Sequence, residues 1–139
     1  MMNGSLLGGV VLGVALGAGG LALNDVYEIA SEQERCLQTY PNIPGKLLLE
    51  NDKVIVQRFS FPPGQWEGVH AHPANQLYIH LTDANWKVRF GDKITTGPSK
   101  AGSVGWYGPV HLHEDHESVN IGDEPIELIW VTLQDGCPA

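Results

Sequence analysis

The chain has 139 residues, enough for one domain with a single hydrophobic core. Its 16 acidic and eight basic residues give a formal net charge of −8, and because such a chain repels phosphate backbones, this charge argues against nucleic-acid binding. A hydrophobic content of 42% excludes a disordered chain. The 17 glycines and nine prolines indicate many short elements joined by tight turns, which favours an all-β protein.

Residues 1–22 are predicted to be a signal peptide or a membrane anchor. Residues 6–23 are uncharged and largely apolar, and no Lys or Arg precedes Arg35. Small residues at the end of this run suit cleavage of an export signal, but the missing basic start is atypical of one. Anchoring through residues 6–23 stays open, since the run nearly spans a bilayer and carries small residues four apart. Either interpretation predicts an exported domain, periplasmic or secreted, or one held at a membrane.

The two cysteines, Cys36 and Cys137, lie near the two ends of the predicted domain. In an oxidising compartment they are expected to form one disulfide that ties these ends together. The alternative is two unrelated thiols. Neither cysteine has a histidine nearby in sequence, which argues against a catalytic thiol.

The pattern after the apolar run divides into an N-terminal arm, residues 23–45, and a barrel, residues 46–139. Within the arm, weak periodicity predicts a short helix over residues 23–38. Beyond residue 40 the pattern is that of short strands separated by turn residues, as in a jelly-roll or barrel. The strand candidates are residues 46–50, 53–61, 68–72, 76–81, 86–90, 104–107, 117–120 and 126–133.

Histidines occur in two separate segments that carry most of the chemistry. His70 and His72 are two residues apart, so on a strand both imidazoles leave the same face. In the second segment His116 precedes Asn120 by four residues. Imidazoles that converge from two sequence-distant strands form an ordinary site for a divalent metal, although an isolated His-x-His is weak evidence by itself.

These two segments resemble the paired motifs of the cupin superfamily, and the resemblance covers roughly residues 46–133. The first motif is a Gly, five residues, His-x-His, three or four residues, a Glu, six residues and a Gly. The second runs from a Gly through a Pro-containing turn to a His, three residues and an Asn. The resemblance implies an all-β double-stranded β-helix, or jelly-roll barrel. Asp83 stands where the first motif has Gly, and the second motif has about three extra residues between Gly102 and His116. The corresponding positions are Gly64, His70, His72, Gln76, Asp83, Gly102, Pro109, His116 and Asn120.

The resemblance further implies a divalent metal ion bound by His70, His72 and His116, with Gln76 at the fourth ligand position. Gln76 departs from the family pattern, which has Glu there. A neutral amide beside three neutral imidazoles would leave the metal its full +2 charge and favour an anionic substrate. The alternative is that Gln76 hydrogen-bonds a histidine or a metal-bound water. Iron is the simplest choice of metal, with Zn, Mn or Ni as alternatives.

Several other side chains are candidates for the site. His111, His113 and Tyr107 are candidate catalytic groups, and His113 competes with His116 as the third ligand. His116 is preferred because only this histidine has an Asn four residues later. His80 is expected to be a core residue, although it could also face inward toward the site. Glu67 is expected to be an exposed turn carboxylate that could act as a base. Trp66 and Trp106 are expected to be packing residues, although they could wall a pocket.

The expected function is that of a metal-dependent enzyme, most simply an Fe(II) dioxygenase-type oxidoreductase acting on a small anionic or carbonyl-bearing substrate. A non-catalytic exported protein that binds a metal or small ligand is the main alternative, and a Zn-, Mn- or Ni-dependent isomerase or lyase is another. The expected partners are therefore a small-molecule substrate or ligand and no nucleic acid. The resemblance also implies a homodimer.

Overall fold

The structure is a computed structural model that describes residues 36–137. The predicted signal peptide or anchor, and most of the helix predicted over residues 23–38, lie outside these residues. Residues 36–38, the end of that predicted helix, are not helical. Within the described part of the chain, no helix is long and apolar enough to cross a membrane.

Eight strands and two short 3₁₀ turns make up the regular structure of the described residues. The 3₁₀ turns cover Leu112–Glu114 and Gln134–Gly136. The strands are β1 (Lys46–Glu50), β2 (Val54–Phe61), β3 (Gln76–His80), β4 (Ala84–Phe90), β5 (Lys93–Ser99), β6 (Val104–Tyr107), β7 (His116–Asn120) and β8 (Ile126–Leu133).

The strands form two antiparallel sheets, one of five strands in the order β1-β2-β8-β3-β6 and one of three in the order β5-β4-β7. Single bridges outside the strands connect the long segment after β2 to β7, through Trp66 with Val119, and to the loop after β6, through His72 with Val110. The prediction of an all-β double-stranded fold is confirmed, and its interior lies between the two sheets.

The side chains of β2 and β8, which are neighbours in the larger sheet, alternate between the two faces. Every second residue of each strand is buried, so one face packs on the core and the other faces outward. The two strands pair along their full lengths, from Val54 with Leu133 to Phe61 with Ile126. Phe59, Phe61, Ile126, Leu128 and Trp130 from these strands form most of the hydrophobic core.

Two features of the strand pattern differ from the sequence prediction. Residues 68–72 do not form a strand, because Gly68 takes a positive φ of 84° and only the single bridge at His72 joins this segment to Val110. Conversely β5 is a strand that the pattern did not predict. It is an edge strand paired only with β4 and largely exposed, so its side chains carry no apolar alternation.

The predicted disulfide between Cys36 and Cys137 is present, with the two Cα atoms 5.8 Å apart. The Cys36 side chain is fully buried and packs against Ile55 and Ala74. The bond thus links the first and last described residues to each other, at the end of the barrel where β2 begins.

Candidate metal site

Three histidines converge in the interior of the barrel. His70 and His72 lie in the loop before β3, and His116 is the first residue of β7. All three side chains are buried, and each offers a nitrogen such that these atoms lie within 4.8 Å of one another. The loop and the strand are held together by the hydrogen bond from the His70 backbone N–H to the His116 carbonyl, at 3.1 Å.

Hydrogen bonds donated by the Nδ1 atoms orient all three imidazole rings. His70 Nδ1 lies 2.9 Å from the Gly68 carbonyl, and His116 Nδ1 lies 3.2 Å from the Arg89 carbonyl. His72 Nδ1 lies 2.6 Å from the amide oxygen of Gln76. Because carbonyl oxygens can only accept, each Nδ1 must carry the hydrogen and each Nε2 must carry a lone pair.

Neither Nε2 of His70 nor Nε2 of His72 carries a hydrogen, so no hydrogen bond can form between these two atoms. His70 Nε2 and His72 Nε2 lie 3.3 Å apart, so two acceptors face each other at hydrogen-bond distance. Burial lowers the pKa of His70 to about 3 and that of His72 to about 4, and it also lowers the pKa of His116. All three rings are therefore neutral at pH 7 and ready to bind a metal, which requires deprotonated nitrogen. Three convergent imidazoles fit a divalent cation.

Gln76 is fully buried and both ends of its amide have protein partners. Its oxygen accepts from His72 Nδ1, and its nitrogen donates to the Thr132 hydroxyl at 2.9 Å. Nδ1 and Nε2 lie on opposite sides of an imidazole ring. Gln76 therefore contacts the side of His72 that faces away from His70 Nε2.

A small cavity opens beside the histidines, with a volume of about 90 Å³. His72 and His116 contribute to its wall, and Tyr107, which stacks on His72 with ring centroids 4.6 Å apart, also lines it. Burial raises the pKa of Tyr107 to about 12, so its hydroxyl stays protonated. Most of the remaining wall is aromatic or aliphatic, from residues that include Tyr40, Phe61, Tyr78, Trp86, Leu128 and Trp130.

Glu67 is the residue that sequence reasoning placed wrongly. It was expected to be an exposed turn carboxylate, but it is 3% exposed and lines the cavity. Its Oε1 atom lies 3.9 Å from His70 Nε2. Burial raises the pKa of Glu67 to about 8, although hydrogen bonds from Ser118 oppose this shift. The only sequence signal was its place inside the motif, between Gly64 and His70, because an irregular loop has no periodicity to reveal burial.

The other candidate residues fall into two groups. His80 is buried and lines the cavity, and among the described residues its Nδ1 has no hydrogen-bond partner. His111 and His113 are exposed and stack on each other at the 3₁₀ turn before β7, and neither lines the cavity. Trp106 is 56% exposed and does not line the cavity, so both expectations for it, core packing and a place in the pocket wall, are wrong. Trp66 is half-buried and does not line it either.

Solved structures with the same fold were found by comparison. A cupin domain from Bordetella pertussis Tohama I matches with a TM-score of 0.59 and 18% identity, over 70% of this chain and 98% of that one. A conserved protein with a double-stranded β-helix domain from Klebsiella pneumoniae matches with a TM-score of 0.51 and 20% identity, over 73% of this chain and 84% of that one. A Cupin 2 conserved barrel domain protein from Salinispora arenicola matches with a TM-score of 0.51 and 22% identity, over 68% of this chain and 78% of that one.

No protein-family model and no curated protein matches the sequence. The solved structures above are all less than 25% identical to this chain, so their similarity concerns the fold alone. Two of them are described as cupins and the third as a protein with a double-stranded β-helix domain, in agreement with the resemblance of the two histidine-containing motifs. The described part of this chain therefore has the double-stranded β-helix fold of the cupins.

Proposed function

We propose that the protein is a metal-dependent enzyme that holds one divalent metal ion, most simply Fe(II), through His70, His72 and His116. Its activity would be that of a dioxygenase-type oxidoreductase on a small anionic or carbonyl-bearing substrate. One observation carries the proposal. Three buried, neutral imidazoles have their Nδ1 atoms fixed by carbonyl oxygens, and they offer nitrogens within 4.8 Å of one another beside a cavity.

The donor set supports this chemistry. Three neutral imidazoles do not reduce the charge of a divalent ion, so the centre attracts an anionic or carbonyl oxygen of a substrate. Imidazole suits Fe, Zn, Cu and Ni, and three protein nitrogens leave coordination positions open. When bound, iron would supply redox chemistry with dioxygen, together with Lewis acidity.

The chain's own residues would position the substrate and exclude water. The cavity volume of about 90 Å³ is well below the roughly 300 Å³ at which pockets for drug-sized ligands begin, so the substrate must be small. Aromatic walls exclude water and strengthen electrostatic contacts inside the cavity. The Tyr107 hydroxyl, which stays protonated, would donate a hydrogen bond to a substrate oxygen.

Elemental analysis of protein purified without oxygen tests the proposal. The wild type should carry nearly one iron per chain, His116→Ala should lose it, and the exposed control His113→Ala should keep it. Oxygen uptake is then measured with small carboxylates and small carbonyl compounds. Absence of metal in the wild type, even after reconstitution with iron, would contradict the proposal.

The small cavity also favours a second candidate, a non-catalytic protein that binds a metal or a small ligand. A tightly held metal with no oxygen uptake for any small substrate would support it. Bound Zn, Mn or Ni with turnover that does not need oxygen would instead support an isomerase or lyase. Export of the domain remains our proposal for either case, and the Cys36–Cys137 bond supports it because disulfides persist in oxidising compartments.

A further inference from the structure

We propose that the carboxylate of Glu67 is the fourth protein ligand of the metal held by His70, His72 and His116. This inference rests on the proposed function, since it requires the metal. It assigns to Glu67 the ligand role that the resemblance to cupins would give to the residue at position 76. Three lines of geometry and charge carry it.

The first line is the position of the carboxylate. Glu67 Oε1 lies 3.9 Å from Nε2 of His70, the ring atom that carries the free lone pair. Glu67 also lines the same cavity as His72 and His116. A carboxylate next to convergent imidazole nitrogens completes the mixed nitrogen and oxygen set that zinc and iron sites commonly use.

The second line is the rigidity of the backbone at Glu67. Its N–H donates to the Ser118 carbonyl at 3.0 Å, and its own carbonyl accepts from the Asn42 N–H at 3.1 Å. Ser118 is on β7, two residues after His116. The carboxylate and one of the histidines are therefore held by the same strand, so their relative positions are fixed before any metal binds.

The third line is the charge balance. Burying a carboxylate costs several kcal/mol unless a cation or several hydrogen bonds compensate for it. Lys53, Arg58, Arg89 and Lys100 form ion pairs with exposed or half-buried acids other than Glu67. A divalent ion among the three histidines would compensate for the charge of the ionised carboxylate.

Gln76 does not compete for this role in the geometry described. Its amide oxygen is occupied by His72 Nδ1, and its amide nitrogen by the Thr132 hydroxyl. With Glu67 as ligand the centre has a net charge of +1 instead of the +2 of a purely neutral set. The chain would thus restore a three-histidine, one-carboxylate site from a different position in the sequence.

Cobalt(II) bound to the full chain is the probe, because its visible absorption reports the number and type of ligands. Glu67→Gln should weaken cobalt binding at least 10-fold in competition with a chelator and should change the cobalt absorption. The exposed control Glu124→Gln should change neither. Unchanged affinity and spectrum in Glu67→Gln would overturn the inference alone, whereas a wild type that binds no metal would overturn the proposed function with it.

A second measurement covers the case in which Glu67→Gln does not fold. In a crystal structure of the cobalt-loaded wild type, a Glu67 oxygen should lie at bonding distance from the metal, about 2.0–2.2 Å by analogy with zinc. A metal bound by the three histidines with Glu67 outside bonding distance would overturn the inference. That second result would leave the three-histidine site, and hence the proposed function, intact.

Discussion

The amide oxygen of Gln76 accepts a 2.6 Å hydrogen bond from Nδ1 of His72. The same amide donates to Thr132, and Gln76 and Thr132 face each other in the pairing of β3 with β8. A continuous chain of hydrogen bonds therefore runs from the larger sheet to the imidazole. Such contacts fix the tautomer and the ring orientation of a metal-binding histidine and raise its basicity.

Gln76→Leu should therefore lower metal affinity by about 10–100-fold, because His72 loses the acceptor that fixes its tautomer. The affinity is measured by competition with a chelator, using cobalt or iron. Thr132→Val is the matched control, since it removes only the outer partner of the amide and should have a smaller effect. Equal affinity in wild type and Gln76→Leu would show that the hydrogen bond does not contribute to binding.

The stability of the metal-free protein should depend on pH through Glu67. Its pKa is raised in the folded state from 4.5 to about 8, so folding favours the protonated carboxyl. That contribution is fully present below about pH 4.5 and is lost as the pH rises toward 8. The wild type should therefore lose on the order of 4 kcal/mol relative to Glu67→Gln between about pH 4.5 and 8.

Urea unfolding of both proteins at a series of pH values checks this dependence. Comparison with Glu67→Gln is needed because the buried histidines act in the opposite direction. Burial lowers the pKa of His70 and His72 in the folded state, so their contribution is present above about pH 6.5 and is lost as the pH falls toward 4. This loss is common to both proteins and cancels in the difference. A difference that stays constant with pH would refute the prediction.

The parts of the fold that sequence predicted are those where local pattern and tertiary role coincide. The alternation of β2 is visible in the sequence because one face of that strand is buried and the other exposed. The histidine trio was predicted from two motifs whose spacing resembles the cupins, and the structure brings the same three residues together. A motif of this kind is informative because its spacing reflects contacts between distant segments.

The parts that were missed lack such a pattern. β5 pairs on one side only and is largely exposed. Its side chains do not have to fill a core, so they need not alternate between apolar and polar residues. Glu67 is buried by the close approach of a loop to β7, through the bridge between Trp66 and Val119. Nothing local distinguishes a buried loop carboxylate from a solvated one, because its burial depends on a strand about 50 residues away in the chain.

Asn120 at the end of β7 should contribute strongly to stability. Its amide nitrogen donates to the Phe61 and Glu124 carbonyls at 3.0 and 2.7 Å, and its oxygen accepts from the Gly122 N–H. Asn120→Leu leaves the buried Phe61 carbonyl and the two part-buried groups without this partner and should lower the free energy of unfolding by about 2–4 kcal/mol.

Unfolding in urea measures the loss, with the exposed Asn85→Ala on β4 as control. That control should stay within about 0.5 kcal/mol of wild type, as surface changes usually do. A loss below about 1 kcal/mol in Asn120→Leu would show that these hydrogen bonds are replaced by water. Chelator competition on the folded variant should give a smaller loss of affinity than His116→Ala, since Asn120 supports the fold and does not contact the metal-binding nitrogens.

The Cys36–Cys137 bond should stabilise the domain mainly by restricting the unfolded chain. It closes a loop with a sequence separation of 101 residues, and the chain-entropy model gives about 4–5 kcal/mol for a loop of that length, with 2–5 kcal/mol typical on removal. Cys36→Ala, Cys137→Ala and the double variant should therefore each lose about 2–5 kcal/mol in urea unfolding.

The losses of the two single variants should not add in the double variant, because either change breaks the same bond. The double variant should lose about as much stability as Cys36→Ala alone. Cys36→Ala should cost slightly more than Cys137→Ala, since only Cys36 is fully buried. Additive losses in the double variant, or no change in the wild type on reduction, would show that the bond does not link the two ends in solution.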